Sequence, residues 1–203
     1  EDVLSDTVSV PDARPATVVE TAPGASAIQA LADLLAAAQR PMVIAGGSRW
    51  SEQAVADLGA FAQRWQLPIV TAFRRQTLCP ADHPCAAGDL GLGANPALLA
   101  RLRGADLVLA LGTRLGDVPS QGYTLWQIPT PAQTLIHVHA DAEELGQVYQ
   151  PRLAIHATPR PLAAALAALP APSATPWAEY TRAAHADFLA WTDPAPNRIP
   201  GAL

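Results

Sequence analysis

The feature that most constrains the fold of this chain is the alternation of short apolar runs with segments of helical periodicity. The apolar runs lie at residues 42–45, 68–71, 105–112, 134–141 and 153–157. Strands that are apolar on both faces are typical of a parallel sheet with helices on each side. The alternation therefore predicts an α/β fold: a Rossmann-like parallel sheet of five or six strands with helices on both faces.

Helix-start signals stand between these runs. Ser26 and Gln29 form a capping-box pattern, which predicts a first helix from Ser26 to about residue 39. Ser51 is the expected N-cap of a second helix. Thr158 is the expected N-cap of a later one, since Pro159 stands at its first helical position.

One long segment, residues 73–96, shows no obvious element, and its length marks it as functional or interfacial. It includes GDLGLGAN at residues 88–95, which follows no clear strand. These glycines can form either a backbone nest for an anion or a flexible connection.

Composition excludes several classes of function. The 203 residues are 50% hydrophobic but only 15% charged, so we expect oligomerisation or contact with other domains. A net charge of -5 without a Lys/Arg run argues against nucleic-acid and membrane partners. No run approaches the ~18 apolar residues of a membrane helix, and EDVLSDTVSVPDAR is unlike a signal peptide, so we expect a cytoplasmic protein. Because the first residue is not Met, we also expect the chain to begin inside a longer protein.

Candidate metal ligands are few. His137 and His139 alternate on one predicted strand, so their side chains share one face of the sheet. No Cys or acidic residue stands at ligand spacing from them, which favours structural, hydrogen-bonded histidines over zinc. Cys79 and Cys85 match neither a zinc knuckle nor a CxxC redox pair, so we expect reduced thiols.

Ligands of parallel sheets bind at the carboxyl ends of the strands, so the residues at and just after the ends of the apolar runs form the candidate binding site. These residues are Gly46, Gly47, Gly112, Arg114 and Asp141. Gly46 and Gly47 either cradle a phosphate or only let the chain reverse, because the G-x-G-x-x-G fingerprint is incomplete there.

The two charged candidates each have a structural alternative. Arg114 can make a forked contact with a phosphate or carboxylate, or a surface salt bridge. Asp141 can accept ribose hydroxyls, or cap a helix that begins before Glu144. Because no G-x-S-x-G pattern is present, nucleophilic hydrolysis has no support.

An ordered series of segments resembles the central domain of thiamine-diphosphate-dependent enzymes of the acetolactate synthase type. It runs RPMVIAGG, LPIVTAF, CPADHPCAAGDLGLG, ADLVLALGTRLGD and IHVHADAEELGQVYQPRLAIHATP, within about residues 20–169. The resemblance implies a linker at 1–24 from a missing amino-terminal domain, a central Rossmann-like domain at 25–169, and a linker at 170–203 toward a missing pyrophosphate-binding domain.

The resemblance also implies a function: a non-catalytic domain that spaces the catalytic domains of a 2-keto acid decarboxylase or carboligase. Thiamine diphosphate and Mg²⁺ would be held by the other two domains, which are the expected partners within a homodimer or homotetramer. The family's GDG metal motif is GDL at Gly88 here and occupies a different place, and the activating glutamate belongs to the amino-terminal domain.

Flavin-containing relatives bind FAD through the strand-end loops, including a stretch of the form G-x-R-F-D-D-R. Here GTRLGDV retains Gly112, Arg114 and Asp117, but Gly116 and Val118 replace an acid and an arginine. These departures put FAD in doubt and leave a nucleotide site as the expectation. The alternative from another class is a free-standing NAD- or flavin-binding oxidoreductase domain.

Overall fold

The computed structural model describes residues 2–193 and contains a six-stranded sheet in which every pair of neighbours is parallel. The strands are β1 (Pro41–Ala45), β2 (Ile69–Ala72), β3 (Ala86–Leu90), β4 (Leu107–Leu111), β5 (Thr134–His139) and β6 (Leu153–His156). Their order across the sheet is β3-β2-β1-β4-β5-β6. This is the strand order of a Rossmann fold. The predicted fold class is therefore confirmed.

Helices cover both faces of the sheet. They are α1 (Ala25–Ala37), α2 (Glu52–Trp65), α3 (Pro96–Gly104), α4 (Pro159–Ala167) and α5 (Ala178–Thr192). Side chains of α1, α2 and α4 share one core with alternate strand residues, and α3 shares a second core with the others. Within residues 2–193, no helix combines the length and apolar character needed to cross a membrane.

The helix starts differ in how they are capped. The capping box predicted for the first helix is wrong: Gly24 is the N-cap of α1, and Ser26 lies inside the first turn. The extended backbone of Gly24 already presents its carbonyl to the first helical N–H groups, so the helix starts before Ser26. Ser51 caps α2 as predicted, accepting a hydrogen bond from the Ala54 N–H at 3.2 Å. Thr158 is the N-cap of α4, although its hydroxyl makes no capping bond.

The prediction that residues 73–96 contain no element is wrong, because they include strand β3 and a short 3-10 turn at Gln76–Leu78. The β3 sequence AAGDL has neither apolar alternation nor β-branched residues. Pairing with β2 makes it a strand, with an irregular register between Ile69 and Val70. Residues 88–90 of GDLGLGAN therefore belong to a strand, and the connection to α3 starts only after Leu90.

Helix α5 lies within residues 170–203, which are predicted to be the second linker. It is anchored by Trp177, a buried side chain that donates from Nε1 to the Trp65 carbonyl at 2.8 Å. His185 donates from Nδ1 to the Ala86 carbonyl of the edge strand at 2.8 Å. The helix thus covers the sheet beside β3. Residues 194–203 lie outside the described residues, and the linker role of 1–24 and 170–203 stays a prediction.

The two cysteines are free thiols buried in the first core. Burial raises the pKa of Cys79 to about 12 and that of Cys85 to about 11. Both thiols are therefore un-ionised at neutral pH, as expected of structural cysteines.

Candidate functional site

The loops after β1 and β4 lie side by side in the middle of the sheet, where the strand order reverses. Gly47 follows β1 with φ +74°, and a methyl group there would stand 1.8 Å from the Gly112 carbonyl oxygen. Gly112 follows β4 with φ +69°. Only glycine permits this left-handed backbone and this close approach together. The two loops are therefore packed directly on each other.

The backbone groups of these glycines are largely used within the fold. The Gly46 N–H donates to the Leu111 carbonyl at 2.9 Å, and the Gly112 N–H donates to the Val138 carbonyl at 2.7 Å. The Gly46 carbonyl accepts from Trp50 Nε1 at 2.7 Å. These two N–H groups are not available to a phosphate. At Gly46 this favours the turn over the phosphate cradle.

A pocket of about 360 Å³ opens at these strand ends. Four of the five predicted residues line it: Gly47, Gly112, Arg114 and Asp141. Gly46 is not part of its lining. The fold therefore brings together residues from three separate loops at the position predicted from the strand ends.

Arg114 and Asp141 both show the structural contact that was the alternative for each. Arg114 donates from Nε to Glu144 Oε1 at 2.9 Å, although its side chain remains 69% exposed. Asp141 accepts the Glu143 N–H at 3.0 Å and so caps the short turn Ala142–Glu144. The Nη groups of Arg114 and the second carboxylate oxygen of Asp141 remain as polar groups that can contact a ligand.

The two histidines on β5 are structural, as expected. His137 donates from Nε2 to the Thr113 carbonyl at 2.9 Å, and His139 accepts the Asp141 N–H on Nδ1 at 3.0 Å. Burial lowers the pKa of His137, which favours its neutral form. Across residues 2–193, no group of three or more His, Cys, Asp or Glu side chains gathers in a way that could hold a metal ion.

Arg75 is a pocket residue that is not among the five predicted site residues. It stands after β2 and lines the same pocket as Arg114. Position 118, where the resemblance expects a second arginine, is Val118. Arg75 therefore supplies a second guanidinium from a different strand end. The only sequence signal for it is its place in the loop after β2.

A second cavity of about 250 Å³ lies beside the first, and Arg114 lines both. Its other walls include His137, Glu144 and Tyr149. The Tyr149 hydroxyl is buried, and no hydrogen-bond partner for it occurs in the described part of the chain. Burial raises the pKa of Tyr149, so the hydroxyl keeps its proton and can donate to a bound molecule.

The chain is similar to known proteins both in sequence and in fold. The family model described as thiamine pyrophosphate enzyme, central domain, matches residues 28–169. Sulfoacetaldehyde acetyltransferase of Alcaligenes xylosoxydans xylosoxydans is 33% identical over 170 residues, which are 82% of this chain and 28% of that protein. The probable 2-ketoarginine decarboxylase of Pseudomonas aeruginosa is 34% identical over 193 residues, 89% of this chain and 33% of that protein.

Two further similarities agree with these. Acetolactate synthase isozyme 1 large subunit of Escherichia coli is 33% identical over 153 residues, 75% of this chain and 26% of that protein. The crystal structure of benzoylformate decarboxylase from Polynucleobacter necessarius matches with a TM-score of 0.61 at 20% identity, over 87% of this chain and 33% of that one. The last similarity shows a shared fold. The chain spans 26–33% of the length of these curated relatives.

Proposed function

The chain belongs to the family of thiamine pyrophosphate enzyme central domains, and from this premise we propose that it is the non-catalytic central domain of a 2-keto acid decarboxylase or carboligase, with a weak nucleotide site at its strand ends. The family match over residues 28–169 is the observation that supports this most directly. The named activities of the relatives are acetyl transfer, decarboxylation and acetolactate synthesis.

The described residues do not fit the site that would hold thiamine diphosphate and its metal. The nearest sequence match to a GDG motif, Gly88 to Leu90, is part of edge strand β3. Asp89 in it accepts a hydrogen bond from Gln76 Nε2 at 3.3 Å. We therefore assign no step of the reaction to this chain, and the cofactor site to other parts of a longer protein.

A spacing role is supported by contacts that attach the segments before α1 and before α5 to the rest of the domain. The Thr158 N–H donates to the Thr21 carbonyl at 2.9 Å, which ties the segment before α1 to the start of α4. Trp177 ties the segment before α5 to the end of α2. Firm attachment at both ends would hold flanking domains at a set separation.

Contact with other domains or subunits is supported by apolar side chains exposed before the first helix. They are Val3, Leu4, Val8, Val10, Val18 and Val19, each at least 59% exposed. A run of exposed apolar residues is typical of a surface that a partner covers. We propose that neighbouring domains of a homodimer or homotetramer cover it.

Nucleotide binding is supported by the chemistry of the 360 Å³ pocket. Arg75 and Arg114 can contact phosphates, and the Asp141 carboxylate can accept ribose hydroxyls. Because the N–H groups of Gly46 and Gly112 are already used and position 118 is a valine, we expect a dissociation constant above about 10 μM for ADP or FAD.

Titration calorimetry of the purified chain tests both parts of the proposal. Thiamine diphosphate with Mg²⁺ should give no measurable heat, and pyruvate should give no carbon dioxide. ADP should bind weakly, and Arg114→Ala should weaken it about tenfold or more. Steady carbon dioxide release would contradict the non-catalytic role. Sub-micromolar binding of NAD or FAD that Arg114→Ala abolishes would support the free-standing oxidoreductase instead.

A further inference from the structure

One glutamate of the segment before α1, Glu20, lies between the loop after β1 and the start of α4. Glu20 Oε1 is 3.1 Å from Arg49 Nη2 and 3.7 Å from Arg160 Nη1. Arg49 belongs to the loop after β1, and Arg160 belongs to the first turn of α4. Their chain neighbours Ser48 and Pro159 both line the 360 Å³ pocket. The carboxylate therefore lies between two segments that also line the nucleotide pocket, although Glu20, Arg49 and Arg160 are not themselves part of its lining.

The surroundings of this carboxylate favour an anion. Two guanidinium groups face it, and the amino-terminal end of the nine-residue helix α4 adds the positive end of a helix dipole. The neighbouring Thr158 hydroxyl, followed by Arg49, holds the pKa of Glu20 below its ordinary value. Glu20 is thus a carboxylate at neutral pH.

The contacts of Glu20 within the described structure leave one of its two carboxylate oxygens without a hydrogen bond. Its second oxygen, Oε2, is buried and makes no hydrogen bond to any residue in the 2–193 range. The Thr158 hydroxyl has one proton, which it can donate either to the Thr21 carbonyl at 3.3 Å or to the Glu20 carboxylate. An anion with three terminal oxygens can reach both guanidinium groups and the hydroxyl at once.

The Glu20 side chain can rotate away from the two arginines without disturbing the core, while the Thr21 carbonyl beside it stays bonded to Thr158. Residues 3–19, which precede it, are all exposed. Arg49, Glu20 and Arg160 retain 36%, 26% and 54% of their side-chain exposure. Ion pairs this accessible to water contribute little to stability, so a doubly charged ligand group competes well for the two arginines.

We propose that Arg49, Arg160 and the start of α4 form a phosphate subsite of the nucleotide pocket, and that the Glu20 carboxylate occupies it in the free protein. This inference rests on the proposed nucleotide site. The ligand group is a terminal phosphate or pyrophosphate, and Glu20 acts as an intramolecular competitor that lowers its affinity.

Calorimetric titration with ADP and with inorganic pyrophosphate tests the subsite. Glu20→Gln retains the shape of the side chain and removes its charge, and it should tighten binding of both probes about tenfold. Glu179→Gln is the matched control, because Glu179 is an exposed glutamate that pairs with Arg182 on α5, away from the pocket. It should leave both affinities unchanged. Adding Arg49→Met or Arg160→Met to Glu20→Gln should remove the gain.

The outcomes separate this inference from the proposed function. Unchanged pyrophosphate and ADP affinities in a Glu20→Gln protein with an unaltered circular dichroism spectrum would overturn the subsite, even if Arg114→Ala still weakens ADP. A gain for pyrophosphate that requires both arginines supports the subsite, even if no ADP binding depends on Arg114. An equal gain in Glu179→Gln would also overturn it, because general charge would then explain the effect.

Discussion

Two crossovers of the sheet, from β1 to β2 and from β4 to β5, are built in different ways. The first contains α2, an amphipathic helix that Ser51 caps and that buries Leu58 and Phe61. The second, residues 112–133, contains turns and no helix within the described structure. It packs Leu125 and Trp126 onto the opposite face of the sheet.

The difference concerns the range of the interactions that hold each crossover. Helix α2 is specified by a local period of apolar residues and a local cap. The helix-free crossover is held by contacts between residues far apart in the sequence: Trp126 Nε1 donates to the Leu102 carbonyl at 3.3 Å, and Gln133 Nε2 donates to the Arg103 carbonyl at 2.8 Å. Arg114 and both cavities adjoin the helix-free crossover. Because no helix lies between β4 and β5 in the described chain, this part of the sheet has room for a ligand.

The largest expected effect is at the point where the two crossovers begin together. Gly47→Ala should lower the free energy of unfolding by about 4 kcal/mol or more, because the new methyl group would lie 1.8 Å from the Gly112 carbonyl oxygen at positive φ. Chemical denaturation measures this. Gly93→Ala is the control: its φ is also positive, +79°, but nothing lies within 4 Å, so we expect a loss of about 1 kcal/mol. Equal losses would contradict the close-packing argument.

The next prediction compares the packing of the two crossovers directly. Leu125→Ala in the helix-free crossover and Leu58→Ala in α2 should each cost about 3 kcal/mol, because both side chains are buried in a core. Denaturation midpoints at unchanged slope provide the measurement. A loss below about 1 kcal/mol for Leu125→Ala alone would mean that the helix-free crossover is a loosely packed cover.

The local cap of α2 should have a smaller effect. Ser51→Ala removes the hydrogen bond to the Ala54 N–H and should cost about 1 kcal/mol. Ser48→Ala is a matched control in the preceding loop, outside any helix cap, and should have little effect on thermal unfolding. If the two variants have equal stability, the cap contributes nothing and the start of α2 depends on packing.

The smallest effect is a pH dependence beneath the helix-free crossover. Burial lowers the pKa of His137 below its ordinary 6.5, so its stabilising contribution is present above 6.5 and is lost as pH falls through the lower folded value. Its neighbours are the Thr113 carbonyl, His139 and Glu144. Between pH 7 and 6, we expect the free energy of unfolding to fall by less than about 1 kcal/mol.

The control for this pH dependence is a substitution that cannot titrate. His137→Gln should reduce the fall between pH 7 and 6, whereas His156→Gln, at an exposed position of β6, should leave it in place. A fall of the same size in His137→Gln would assign the pH dependence to another group.

Local pattern was sufficient to predict five of the six strands, the cap at Ser51 and the strand-end position of the candidate site. These features depend on hydrophobic period and on turn residues that act within a few positions of themselves. The loops that contain Gly47, Gly112, Arg114 and Asp141 could be placed at one edge because parallel strands share their carboxyl ends.

The tertiary structure alone decided the features that depend on distant pairing. Strand β3 exists because β2 offers it hydrogen bonds, and α5 packs because Trp177 reaches the Trp65 carbonyl across the fold. The contact of Glu20 with Arg49 and Arg160 likewise follows from the path of the chain over the sheet. None of these residues has a local signature, because the partner that determines its role lies far away in the sequence.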